Sequence, residues 1–332
     1  MDDGPSGVSK RSARAARHHT SRAVPHDEVT EHGDGSRGHS ARETLIILSS
    51  PPDNLPPRSS PRSPIYCPGY YTMPSAPSIS QRKHYREPPS PPSEPTSTIV
   101  LTSHTSHYID IRILKSAHQA ESSDPSLTQN SPSILQWAFA GTSSTTPADA
   151  SADNKPSHTV WTHWIDSKST TQGEGGAEEG GDQDEGDMYP QPNGDVLEKG
   201  INHDASTGEE TAYEELWTDL EVGVIPEEGG KYSTVLKVEA EGGKAKGMVI
   251  RVGGWCQGLL IEEGGKMTVE RWRWMSEEND PTQGPGYWKR VVRIGEGEMP
   301  GPVLLRGVSD GAETEVVNGE RKWEIVENYR WM

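Results

Sequence analysis

Apolar and polar residues alternate with period two in several short runs of the chain. In the run HYIDIRIL, Ile109, Ile111 and Ile113 fall on one side of an extended backbone. Asp110 and Arg112 fall on the other side. This alternation is typical of a half-buried β-strand. Further strand-like runs read TIVLTS, LQWAF, HTVWTHWID, GMVIRV, WCQGLLI, MTVERWRWM, WKRVVRI and RKWEIVENY.

Glycine pairs separate the later runs at regular intervals. EEGGK occurs at residues 227–231 and again at 262–266, and EGGK occurs at 241–244. Gly-Gly tolerates the positive φ angles of tight hairpin turns. The sequence therefore predicts an antiparallel meander of short strands with almost no helix.

The two halves of this pattern resemble each other. STIVLTS with YIDIRILK parallels STVLKVEA with GMVIRVGG, and AYEELWTDL parallels KWEIVENYRW. We interpret this as an internal duplication. Closure into a barrel would remove the exposed edge strands of a meander. We therefore predict an all-β protein with two similar antiparallel β-barrel domains, at residues 96–225 and 230–332.

The first 95 residues differ in composition from the rest. They contain Ser, Pro, Arg and Gly without hydrophobic periodicity, so we predict a disordered tail over residues 1–95. A second flexible segment is predicted at residues 173–187, GEGGAEEGGDQDEGD, which lies within the first domain. The whole chain carries a formal net charge of −18. Such a charge disfavours nucleic acid and anionic membrane surfaces as partners.

Two segments near the middle of the chain need separate interpretation. MYPQPNGDVLEKG contains Asn193-Gly194, a strong hairpin signal, and we predict a hairpin there. TAYEELWTDL fits both a helix, by the spacing of Tyr213, Trp217 and Leu220, and a strand. We favour the strand because the matching piece of the second half is strand-like.

The chain also resembles the fungal HRI-one protein family. The resemblance covers roughly residues 90–332 and rests on TSTIVLTS, YIDIRILK, QWAFAGTSS, VWTHWIDS, DEGDMYPQPNGDVLEKG, TAYEELWTDLE, GMVIRVGGWCQGLL, TVERW and WKRVVRIGEG. It implies lipocalin-like β-barrels, a cytoplasmic and nuclear location, no established enzymatic activity and an unidentified ligand. It also implies association with a casein-kinase-one-type protein kinase.

The sequence contains no strong catalytic or metal-binding motif. Glu214 and Glu215 are adjacent, so on a strand they point to opposite faces and form no carboxylate pair. Cys256 stands in an apolar run with no nearby His, which favours a packed thiol over a nucleophile. We expect no enzymatic activity and no cofactor.

Tryptophan residues are the candidates for a ligand pocket. Trp161 with Trp164, and Trp272 with Trp274, could line barrel interiors and stack on a flat or apolar ligand. The alternative is that they fill the core, because the chain has ten Trp and one Phe. A haem-binding barrel with His163 as axial ligand is a further hypothesis that rests on fold analogy.

The acidic stretch before the predicted hairpin is the candidate partner-binding surface. We predict that Tyr189 is an aromatic anchor and that Asp184, Glu185 and Asp187 attract a basic surface of the kinase. The alternative is that these acids only keep the segment soluble.

Overall fold

A computed structural model describes eight ranges of the chain: residues 76–115, 132–148, 156–168, 183–203, 207–276, 286–303, 305 and 314–332. All of them belong to the unit formed by residues 67–332. The tail predicted at 1–95 falls outside these ranges up to residue 75, and so does the predicted insert at 173–187 up to residue 182. Within the described ranges, no helix is long and apolar enough to cross a membrane.

Eight strands form a closed antiparallel barrel. They are β1 (Ser78–Arg86), β2 (Thr96–Thr102), β3 (His107–Leu114), β4 (Leu135–Thr146), β5 (Ser157–Asp166), β6 (Gln183–Pro190), β7 (Val196–His203) and β8 (Glu210–Asp219). Each strand pairs with its neighbour along the chain, and β1 pairs with β8 to close the sheet. The prediction of an all-β fold with a meander barrel is confirmed.

Seven further strands form a second antiparallel sheet. They are β9 (Lys231–Glu239), β10 (Ala245–Val252), β11 (Trp255–Glu262), β12 (Lys266–Met275), β13 (Tyr287–Ile294), β14 (Glu315–Asn318) and β15 (Arg321–Trp331). Their order across the sheet is β13-β12-β11-β10-β9-β15-β14. Closure into a second barrel would need β13 and β14 to be bridged, and no such pairing exists among the described residues.

The barrel begins earlier than the sequence predicted. Strand β1 lies inside the segment 1–95 for which we predicted disorder, so the boundary must move to about residue 77. Hydrophobic periodicity does not identify β1, because Ile79 is its only buried aliphatic residue. The other buried side chain is Arg82, which is 5% exposed. A buried charge is invisible to a search for hydrophobic periodicity.

The predicted boundary of the flexible insert at residues 173–187 also needs correction. Residues 183–187 belong to this strand and pair with β5, so they are not part of a loop. Gly186 serves a packing role, because a Cβ atom there would lie 2.8 Å from Cγ of Glu198. Within residues 183–187, only Asp184 and Gly186 face the barrel interior.

Both ambiguous segments form strands. Strands β6 and β7 make the predicted hairpin, and Gly194 at its turn has a φ of 88°. The backbone N–H of Gln191 donates to the carbonyl of Asp195 at 2.8 Å and closes the turn. TAYEELWTDL lies in β8, as we predicted.

In β3 the apolar face points out of the barrel and the charged face points into it, which is the reverse of the usual arrangement in soluble barrels. Ile109, Ile111 and Ile113 point out of the barrel, into one apolar cluster with Met248 and Leu259 of the second sheet. We call this cluster, between β2–β4 and β10–β11, the apolar layer. The charged side chains between them point into the barrel. The prediction that β3 is half-buried was therefore wrong, since Asp110 is only 2% exposed.

The internal repeat is offset by one strand from the sequence alignment. The alignment matched β2 with β9, but β9 pairs with the C-terminal strand β15 as β1 pairs with β8. Strand β9 therefore occupies the position of β1. All strands of a meander share the two-residue alternation of apolar and polar positions. An alignment of the two halves that is shifted by one strand therefore keeps most of its matched apolar positions.

Candidate functional site

The interior of the barrel, which we call the lumen, contains a network of buried ion pairs around Arg82. Its Nε lies 2.8 Å from Oε2 of Glu94, and its Nη1 lies 2.5 Å from Oε1 of Glu215. Its Nη2 donates to the hydroxyl of Thr96 at 2.9 Å. Burial raises the pKa of the Glu94 carboxyl, but the hydrogen bonds from Arg82 and Thr96 outweigh burial and lower it. This end of the lumen is therefore a compensated ion-pair cluster.

A second guanidinium crosses the lumen from β3 to β8. Arg112 pairs with Asp110 at 2.8 Å and with Glu215 at 3.3 Å. Strands β3 and β8 are not neighbours in the sheet, so the contact with Glu215 spans the interior. The guanidinium carbon lies 5.0 Å from the ring centroid of Trp137 and 5.3 Å from that of Phe139. These distances fit cation–π contacts, which keep Arg112 at the centre of the lumen.

Two glutamates lie directly opposite each other on β7 and β8. Glu198 is the register partner of Glu215, and both point inward. Glu198 accepts hydrogen bonds from the hydroxyl of Tyr213 at 2.8 Å and from Nε1 of Trp217 at 2.9 Å. Burial, together with the charge of Glu215, raises the pKa of Glu198 to about 8. Glu198 is therefore a carboxyl group that holds a proton near neutral pH.

Besides Nε2 of His163, which lies 3.2 Å from Oδ2 of Asp184, two buried polar atoms of the lumen have no hydrogen-bond partner among the described residues. They are the hydroxyl of Tyr108 and Oδ1 of Asp110, both on β3. Tyr108 is 1% exposed and Asp110 is 2% exposed. Burial, and then the charge of Asp184, raises the pKa of Tyr108 well above its ordinary value. Unpaired buried polar atoms are uncommon, so each of them calls for a partner.

His163 lies between two carboxylates at one end of the lumen. Its Nδ1 is 3.2 Å from Oδ2 of Asp166, and its Nε2 is 3.2 Å from Oδ2 of Asp184. Burial lowers the pKa of His163, but the contacts with both aspartates outweigh it and raise the pKa to about 9. A protonated imidazole with both nitrogens facing carboxylates is a poor axial ligand for haem iron. The arrangement thus disfavours the haem hypothesis.

The four residues predicted to bind a partner do not share one surface. Asp184 points into the lumen towards His163, whereas Glu185, Asp187 and Tyr189 point outward. Asp184 is thus separated from the other three, because strand β6 alternates its side chains between two faces, and partner binding by these residues stays a prediction. We call the remaining three residues the outer patch. Within it, Asp187 lies 2.9 Å from Nδ1 of His158.

The tryptophans predicted to line a pocket lie in different environments. Trp161 is the register partner of Asp184 and is half-buried. Trp164 points the other way, towards the apolar layer, with Nζ of Lys237 3.7 Å from its ring centroid. Trp272 donates from Nε1 to Glu270 at 2.7 Å, and Trp274 packs edge-on against Trp288. These contacts describe packed aromatic side chains, and ligand binding by them stays a prediction.

The remaining sequence candidates have simple placements. Glu214 points outward and pairs with Arg86 and Lys199, while Glu215 points inward, so the adjacent acids are separated as expected. Cys256 is a free thiol, 1% exposed, whose pKa is raised by burial. Among the described residues, no group of three His, Cys, Asp or Glu is placed to hold a metal ion.

Sequence reasoning missed the lumen network, although one signal pointed to it. Arg112 alternates with the isoleucines of β3, whose face was assigned to the core, whereas Arg82 lies in the segment predicted to be disordered. We had assumed that such charged faces meet solvent. The closing pair of β1 with β8, which the sequence does not reveal, places these faces inside instead.

The closed eight-stranded sheet, with its charged lumen and a second sheet on its apolar outer face, defines a β-barrel protein. A family model described as "Protein HRI1" matches residues 78–327. The chain therefore belongs to the HRI1 family, as the resemblance predicted.

One solved structure is similar over most of the chain. It is the crystal structure of an uncharacterised protein, YLR301w, from Saccharomyces cerevisiae, with a TM-score of 0.56 and 20% sequence identity. The similarity covers 76% of this chain and 99% of that chain. At this identity the likeness establishes the fold alone. A search of curated proteins finds no match.

Proposed function

We propose that this protein is a non-catalytic protein-interaction module, and that the outer patch docks a partner with a basic surface. The observation that carries the proposal is the division of the barrel's outer surface. The second sheet packs on β2, β3 and β4, whereas Glu185 on β6 is 69% exposed at its side chain and Asp187 is 44% exposed. The outer patch is thus accessible while the aliphatic face is occupied.

Charge favours a basic partner. The chain has a formal net charge of −18, and long-range attraction raises the association rate of oppositely charged surfaces. His158 faces both Glu185 and Asp187, so it moderates the local charge when protonated. The family resemblance implies a casein-kinase-one-type kinase, a class that favours acidic substrates and is expected to carry a basic surface. We propose such a kinase as the partner.

Tyr189 supplies an aromatic contact for this docking. It lies on the same face of β6 as the two acids, and Nζ of Lys199 is 5.6 Å from its ring centroid. Tyrosine is enriched among residues that dominate binding energy, because a rigid ring buries a large area at low entropic cost. The hairpin that follows fixes the end of the strand and with it the position of the ring.

We also propose that the protein acts in the cytoplasm and nucleus without catalysing a reaction. The free, buried thiol of Cys256 supports a reducing compartment. The lumen carboxylates support a structural or binding role, since Glu215 is held by two guanidinium groups. A catalytic base needs a free lone pair within reach of substrate.

A pull-down with the full chain and a purified casein-kinase-one-type kinase tests the proposal at low and high salt. The variant Tyr189→Ala, and the double variant Glu185→Gln with Asp187→Asn, are expected to weaken binding about tenfold. High salt is expected to weaken wild-type binding as well. The matched control neutralises two exposed acids of the second sheet, Glu241→Gln with Glu263→Gln, and is expected to bind nearly as wild type. Equal binding by every variant at both salt concentrations would refute the assignment.

A further inference from the structure

The central part of the lumen carries more negative than positive groups. Arg82 and Arg112 face four carboxyl groups, those of Glu94, Asp110, Glu198 and Glu215. At the neighbouring end, His163 and Lys168 face Asp166 and Asp184, so that end is balanced when His163 is protonated. Because Glu198 holds a proton near neutral pH, three carboxylates face the two guanidinium groups of the central part. The unbalanced negative charge therefore lies among Glu94, Asp110 and Glu215. Uncompensated charge in a buried site is costly and calls for a cation.

Oδ1 of Asp110 and the hydroxyl of Tyr108 lie beside this excess charge. Oδ1 of Asp110 is a buried acceptor with no donor, while Oδ2 of the same carboxylate is held by Arg112. The hydroxyl of Tyr108, two residues away on the same face of β3, is also unpartnered. A group that satisfies both must donate to a carboxylate oxygen and pack beside a phenol.

Aromatic side chains surround the same region. The ring of Tyr108 lies 6.0 Å from that of Phe139, and Phe139 lies 4.2 Å from Trp137. Trp137 already faces Arg112 and Nζ of Lys168, and Phe139 stacks on His163. Tyr108 is therefore the ring beside which a further organic cation would pack. A metal ion would need several oxygen or nitrogen ligands, and the described residues contain no such group of three. The chemistry of the site therefore favours an organic cation over a metal ion.

We propose that the lumen of the barrel binds a small organic cation through a primary ammonium or guanidinium group that donates to Oδ1 of Asp110 and contacts the hydroxyl of Tyr108. This inference is independent of the outer patch, because the two sites lie on opposite faces of the barrel wall. It also replaces the apolar or flat ligand considered from the sequence. A lumen lined by charged groups is unsuited to an apolar molecule.

Asp184 marks the entrance for such a cation. Its side chain is 41% exposed and yet lies 3.2 Å from the buried Nε2 of His163. Its charge also contributes to the raised pKa of Tyr108. A carboxylate that is partly in solvent and partly in the lumen attracts a cation to the opening and raises its local concentration.

Isothermal titration calorimetry of the full chain with propylammonium and with methylguanidinium tests the proposal. Tetramethylammonium, which has charge but no N–H donor, is the comparison probe. We expect saturable binding of at least one of the two donor cations, with tetramethylammonium at least tenfold weaker. Asp110→Asn should weaken binding about tenfold or more, because a charge-assisted hydrogen bond is lost.

Two further variants keep the result interpretable. Tyr108→Phe removes only an unpartnered hydroxyl, so it should fold normally and weaken binding about two- to tenfold. Glu214→Gln changes an outward-facing acid on the wall of the same barrel and should leave binding unchanged. Absence of saturable binding by both donor cations would overturn the proposal. So would binding that survives Tyr108→Phe without any loss, since it would then lie elsewhere on an acidic surface.

Discussion

The lumen of the barrel and the apolar layer are two buried regions that share strand β3 but are built from opposite chemistry. In the lumen, Arg112 and Asp110 pair with each other and with groups across the barrel. In the apolar layer, Ile109 and Ile111 are completely buried against the second sheet. The second sheet thus provides the apolar contact surface that the interior of a barrel usually provides. Hydrophobic burial stabilises the contact between the two sheets, and charged and polar side chains occupy the interior of the barrel.

The largest effect should come from breaking the lumen network on one side. Arg82→Met leaves Glu94 and Glu215 buried without this partner. We expect a loss of about 3–5 kcal/mol in the free energy of unfolding, because an uncompensated buried charge is strongly destabilising. Chemical denaturation followed by Trp fluorescence measures it. A loss below about 1 kcal/mol would mean that the network is solvated and that the lumen is not a buried site.

A somewhat smaller effect is expected in the apolar layer. Ile111→Ala removes a fully buried side chain and should cost about 2–5 kcal/mol of unfolding free energy. The matched control is Ile201→Ala on β7, whose side chain is 51% exposed, and it should change stability by less than about 0.5 kcal/mol. Equal effects of the two substitutions in denaturant unfolding would contradict the burial of β3 against the second sheet.

The smallest effect of the series concerns the polar contacts within the apolar layer. Gln257 donates from Nε2 to the carbonyls of Ile99 and Ile109 at 3.1 and 3.0 Å, and it accepts from Nε of Arg271 at 2.7 Å. Gln257→Met should cost about 1–3 kcal/mol, since it leaves the buried Arg271 with one acceptor fewer. Gln183→Met at the exposed start of β6 is the control. Equal thermal unfolding of these two variants would contradict a stabilising role for Gln257 between the sheets.

The sequence predicted the strands well and their environment poorly. The alternation in HYIDIRIL identifies β3, but a period of two defines two faces without saying which one meets solvent. The assignment of Asp110 and Arg112 to solvent followed from an average preference of charged residues, which a paired charge inside a barrel escapes. Asp184 was grouped with Glu185 for a similar reason, because adjacency in the chain was taken as adjacency on a surface.

Long-range pairing explains the other differences. Strand β1 is held by β2 and by β8, which lies more than a hundred residues later, so its own apolar content is low. The opposition of Glu198 and Glu215 depends on the register of the hairpin formed by β7 and β8. Composition carries no information about that register. The asymmetry between the lumen and the apolar layer therefore emerges only when the whole sheet is closed.

The pH dependence of stability in the wild type and in Glu198→Gln tests most directly whether the lumen is a buried, charged interior. Burial and Glu215 raise the pKa of Glu198 to about 8, above the ordinary value of a glutamate, so the folded state retains a proton that the unfolded state has lost. The contribution of Glu198 is fully present below the ordinary pKa and is lost as pH rises through about 8. The neighbouring charged and titratable groups are Glu215, Tyr213, Arg112 and Asp184.

Urea unfolding should be measured between pH 5 and pH 9 for the wild type, for Glu198→Gln and for the outward-facing control Glu214→Gln. We predict that the wild type loses stability relative to Glu198→Gln as pH rises, with a slope of up to about 1.4 kcal/mol per pH unit that levels off above pH 8. Glu214→Gln should run parallel to the wild type across this range, because ion pairs with Lys199 and Arg86 lower the pKa of Glu214 below it. A constant difference between the wild type and Glu198→Gln from pH 5 to pH 9 would contradict the account.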